Sequence, residues 1–259
     1  MGMQKRKKGL WIVIIVAAIV IIAFSIKHYK KYREKSLQQI RISIKMEHFL
    51  EDIESPESRE YIEEELEKEK EKISMYPELF TEDEIICWWL KRFMLKNLKY
   101  RDEYEEKMRA VNTHRLLDPV RIQEDMTLEE SRDILRKAKN IVVTEIDKNI
   151  VFIQDGISGI DALGISNQAK VSMKADYSET RGRIILFLQN KKQLDLQSLS
   201  RIEDIVNLLE EKNGNWEIRG GAIVFNSRED ARKYNALLSA IEEISKEQHA
   251  LAISYVENL

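Results

Sequence analysis

The sequence predicts an α+β protein: an N-terminal transmembrane helix, a helical spacer region, then a largely antiparallel sheet with packed helices. Three observations lead there. Residues 10–26 read LWIVIIVAAIVIIAFSI, without a charge, proline or glycine. Glycine is then absent between Gly9 and Gly156, where only Pro56, Pro77 and Pro119 interrupt the chain, the composition of a predominantly helical stretch broken near its prolines. Beyond about Ile141 come runs of β-branched residues and, later, glycines, which change the expected period from that of a helix to that of strands and turns.

Residues 1–9 form a short basic tail and residues 10–26 the membrane helix. A helix of that length spans roughly 25 Å at about 1.5 Å per residue, close to the bilayer core of about 30 Å. Trp11 suits one interface. Lys8 and Lys27, with Lys30 and Lys31 in the basic segment that follows, extend their amines towards headgroups and lengthen the effective span. A cleaved signal peptide is the competing reading, with Ala23-Phe24-Ser25 as its cleavage site. The apolar run exceeds the usual length of about 7–15 residues for such a segment, and the basic KHYKKYREK follows at once, which favours an uncleaved anchor. The basic residues on the two flanks nearly balance. A short basic N-terminus ahead of a first span is the usual look of an anchor with its N-terminus in the cytosol, so the domain is expected outside, with a cytosolic placement as the alternative.

Residues 27–118 read as a mainly helical juxtamembrane and spacer region. Leu37, Ile40 and Ile44 make a seam too short for a coiled coil. From Pro56 to Ser74, EYIEEELEKEKEKIS sets Glu64 with Lys68 and Glu67 with Lys70 at helical spacing, the pattern of a solvated helix face. Thr81 and Glu84 form a capping box. Ile86, Leu90, Phe93, Tyr100, Tyr104, Met108 and Val111 then recur at about helical spacing, as in a helix buried on one side.

Residues 119–259 read as the α+β domain. A second capping box, Thr127 to Glu130, starts a short helix to about Lys139. IVVTEI and NIVFIQ, separated by Asp147 and Lys148, read as one hairpin; KVSMKAD and RIILFLQ, separated by YSETRG, read as another. A helix from about Asp195 to Lys212 stops at Asn213-Gly214. WEIR, Gly220-Gly221 and AIVFNS form a short hairpin, and Ser227 with Asp230 starts a final helix. This order admits a ferredoxin-like core or a curved meander.

No catalytic, cofactor or metal constellation emerges. Gly156 to Gly164 lacks the lysine and hydroxyl of a phosphate-binding loop and reads as a connection between hairpins. His28, His48, His114 and His249 are dispersed, without ligand spacing. Cys87 is the single cysteine, which excludes an intrachain disulfide; beside Trp88 and Trp89 it reads as a small packed hydrophobe. Core packing is the simpler role for Trp88 and Trp89, and a partner surface the alternative, since one helix turn does not turn both indoles equally to one core. The chain has 42 basic and 45 acidic residues, a net charge of -3, so no nucleic-acid footprint is expected.

An anchor, a helical spacer and a compact domain together suggest a non-enzymatic protein-interaction module on a lipid bilayer, with a protein partner and no cofactor. In outline it is similar to bitopic assembly components of bacterial pilus and secretion machines, or to a membrane-anchored immunity protein; no motif supports either analogy. The alternative is a cytosol-facing regulator that senses a ligand or the membrane surface, for which the basic cluster Lys27 to Lys35, interleaved with Tyr29 and Tyr32, suits anionic headgroups. An enzyme is the third reading. Sequence leaves the oligomeric state open.

Overall fold

The computed structural model describes Phe49, Ile53, residues 56–125 and residues 127–257. The predicted membrane helix 10–26, with its interface residues Lys8, Trp11, Lys27, Lys30 and Lys31, lies outside the described residues, as does the Leu37 to Ile44 seam. Among the described residues no helix is long and apolar enough to cross a membrane.

Among the described residues six helices and one hairpin follow in order: α1 (Pro56–Met75), α2 (Glu82–Ala110), α3 (Pro119–Glu124), α4 (Glu129–Asp161), α5 (Asn167–Glu211), β1 (Trp216–Arg219), β2 (Ala222–Phe225) and α6 (Arg228–Glu257). Single 3-10 turns at Pro77–Leu79 and Thr113–Arg115 separate the first three helices. The expected α+β domain does not form. The described residues contain one two-stranded sheet, and both hairpins expected between residues 141 and 189 are helical, inside α4 and α5.

The reason lies in which residues carry the helical period. The buried side of α4 runs Ser131, Leu135, Ala138, Val142, Glu145 or Ile146, Asn149, Ile153, Gly156 and Ile160, steps of three and four that define one helix face. Several of these positions are polar or small, so an apolar count misses the stripe and sees only the β-branched clusters around it. Asp147 and Lys148, which read as a turn, are exposed helix positions paired with Lys192 and Glu145. In α5 the expected loop 177–182 contributes buried Tyr177 and Thr180, in step with buried Ile184 and Leu188. Strand propensity is a weak preference, and packing overrides it here.

Helix α4 also starts differently from expectation. Asp125, not Thr127, caps it: Oδ1 accepts from the Glu130 amide at 3.2 Å and Oδ2 from the Ser131 amide at 2.8 Å. The expected short helix to about Lys139 instead continues to Asp161. The Thr81 box forms as read, with the Glu84 amide donating to Thr81 Oγ1 at 3.3 Å and the Thr81 amide donating to Glu84 Oε2 at 3.0 Å. Gly220 and Gly221 take φ of +59° and +77°, the left-handed pair that a two-residue hairpin turn requires, and set Arg219 opposite Ala222 and Trp216 opposite Phe225. At the start of α6 the Asp230 amide donates to Ser227 Oγ at 3.4 Å.

The chain divides into two compact units. One takes the chain up to Tyr100, Ile150–Leu186 and the last residues from Ala252; the other takes Arg101–Asn149 and Phe187–Leu251. In the first, α1 lies antiparallel to the start of α2, as the pairs Glu63 with Lys99 and Glu67 with Arg92 show. The first turns of α2 are buried around most of their circumference, including Ile85, Cys87, Trp88, Trp89 and Phe93, whereas the expected stripe members Ile86 and Leu90 are only half-buried. In the second unit, α4 runs antiparallel to α5 through Lys139 with Glu203 at 2.7 Å, Lys192 with Asp147 at 2.8 Å, and Arg132 with Glu210. The hairpin is held by the Trp216 indole, which donates to the Leu209 carbonyl at 2.8 Å, and by Phe225 against Tyr234.

Candidate functional site

The second unit gathers polar side chains from three helices around one carboxylate. Tyr104 on α2 donates its phenol to Asp195 Oδ2 at 2.7 Å, and Gln248 on α6 donates its amide to Asp195 Oδ1 at 2.8 Å. Lys191, one turn before Asp195 on α5, donates to Oδ2 and sits 4.6 Å from the centre of the Tyr104 ring. The Asp195 side chain is 11% exposed, so this is a shielded, four-residue cluster. Burial, then the neighbouring Asp195 charge, push the Tyr104 phenol well above its ordinary pKa, and the phenol stays a hydrogen-bond donor at neutral pH. Both carboxylate oxygens are engaged. The geometry suits a clamp that joins α2, α5 and α6.

Two further buried polar clusters lie in the same unit. Glu145 on α4, 5% exposed, pairs with Lys107 of α2 at 2.9 Å and with Lys148 at 3.0 Å. Burial alone would raise its pKa, but the hydrogen bonds and charges of the two lysines outweigh that and hold the carboxyl below its ordinary range. Arg121 on α3 donates to the Arg115 and Leu116 carbonyls at 2.9 and 3.0 Å and to Ser131 Oγ at 2.7 Å, and its Nη1 lies 3.4 Å from Asp125 Oδ2. Asp125 likewise has burial raising its pKa; the Ser131 hydroxyl and amide, the Glu130 amide and the Arg121 charge together draw it lower. This network locks the turn into α4, where Leu128 adopts a left-handed φ of +58° with its side chain buried.

The first unit holds an aromatic core. Trp89 stacks on Phe93 at 5.2 Å, Phe93 on Phe152 at 4.9 Å, and Tyr177 meets Trp89 and Phe93 edge-on at 5.7 and 5.4 Å. Tyr177 donates its phenol to the Ile153 carbonyl. Gly156 and Gly159 belong to α4 rather than to a connecting loop, and they explain how the rings fit: a Cβ on Gly156 would fall within the Tyr177 phenol, and one on Gly159 would lie 3.0 Å from the Trp89 indole nitrogen. The glycines are there for close packing of ring against backbone.

Trp88 and Trp89 are 7% and 8% exposed, and the Trp88 indole donates to the Leu66 carbonyl at 2.9 Å. Both are core residues, which sets aside the partner-surface alternative. They escape the expected conflict because α2 has neighbours on more than one side. Cys87 is buried at 5% exposure. His114 and His249 are exposed, and His28 and His48 lie outside the described residues. Among the described residues no group of three or more His, Cys, Asp or Glu side chains is arranged to hold a metal ion.

Asp195 and Gln248 belong to no motif in the sequence. The Lys191 and Asp195 pair, four apart, was a legible signal, as was Arg121 with Asp125; in a chain with 34% charged residues such spacings recur too often to stand out. No known family model matches this chain, and neither does a curated protein or a solved structure.

Proposed function

We propose that this chain is a single-pass, membrane-anchored, non-catalytic protein-interaction module. The observation that carries the reading is the uncharged run 10–26 between two basic clusters, a segment whose free energy is lowest in hydrocarbon. Within the second unit the buried carboxylates Asp125 and Glu145 are paired with Arg121 and with Lys107 and Lys148, which is the behaviour of a scaffold. Support for binding comes from the turn after α1, where Met75, Tyr76 and Leu79 are 61%, 52% and 73% exposed. Three large apolar side chains exposed within five residues offer apolar surface that a protein partner can cover.

The test uses the full-length chain in its membrane. The wild type is expected to remain in the pellet after alkaline extraction, untrimmed at Ser25, and to recover a stoichiometric protein partner on affinity purification. The double variant Tyr76→Asp, Leu79→Asp is expected to stay in the pellet and lose that partner. Release into the soluble fraction overturns the anchor; recovery of no stoichiometric partner overturns the interaction reading; recovery unchanged by the double variant removes the turn as its surface.

A further inference from the structure

We draw no further inference here: the strongest candidate, the exposed stripe of α5 formed by Val171, Ala175, Ser178, Gly182 and Leu186, is a small-residue face and nothing in the structure shows what covers it.

Discussion

Replacing Gly156 by alanine tests the packing of the first unit most directly. Sequence logic alone says that alanine stabilises a helix interior by about 1 kcal/mol relative to glycine. In the folded chain the added methyl group overlaps the phenol and ring of Tyr177. That ring is 7% exposed and meets Trp89 and Phe93 edge-on, so moving it away from the methyl group disturbs the aromatic core. Overpacking of this kind costs about 1–3 kcal/mol, and displacement of the phenol from the Ile153 carbonyl adds about 1 kcal/mol. Set against the propensity gain, the net expectation is a loss of about 1–3 kcal/mol. Gly182 is the internal control: it too is helical, but a Cβ there meets nothing within 4 Å, so Gly182→Ala is expected to stabilise by about 1 kcal/mol. Urea unfolding of the full-length chain in detergent micelles, followed by tryptophan fluorescence and far-ultraviolet circular dichroism, reads both. In a Tyr177→Leu background the Gly156→Ala penalty should disappear, which isolates the coupling between the two side chains. A Gly156→Ala variant as stable as the wild type, or shifted in the same direction as Gly182→Ala, would refute the reasoning.

The other expectations concern charge and access. Asp125→Ala removes the cap of α4 and leaves buried Arg121 with only the exposed Glu130 carboxylate, 3.9 Å away; the side chains of Arg121 and Asp125 are each 4% exposed, so a loss of about 3 kcal/mol is expected in the same urea assay, and a loss under 1 kcal/mol would show that the network is dispensable. Glu145 has a folded pKa lowered from 4.5, so its contribution is complete above the unfolded value and is lost as pH falls through the folded one; acid titration followed by circular dichroism should show a shallower decline below pH 4.5 in Glu145→Gln than in the wild type, and identical slopes would remove Glu145 from the account. Because Cys87 is buried, a membrane-impermeant maleimide should leave the native wild type unlabelled on either side of the membrane. A Val151→Cys variant, at a position 53% exposed and away from the turn after α1, should label in intact cells if the helical units face outward; labelling only after permeabilisation reverses the orientation.

Local chemistry was legible where a few adjacent residues decide the outcome. Thr81 and Glu84 satisfy each other's backbone amides at the start of α2, Gly220-Gly221 accepts the left-handed conformations of a tight turn, and Ser227 starts α6. None of these depends on a distant part of the chain, because a cap or a turn closes its own hydrogen bonds. The sequence by itself therefore determined the starts of α2 and α6, the hairpin at Gly220-Gly221 and the apolar run near the N-terminus, but not the start of α4, which Asp125 caps in place of Thr127. Tertiary structure decided the state of residues 141–189, where β-branched clusters favoured strands and burial on neighbouring helices favoured α4 and α5. It also decided what the glycines and indoles are for: Gly156 makes room for Tyr177, and Trp88 finds its acceptor in Leu66, 22 positions away. Local preferences amount to tenths of a kcal/mol per residue, while burying a large side chain contributes about 1.5–3 kcal/mol, and only the assembled fold says which side chains are buried.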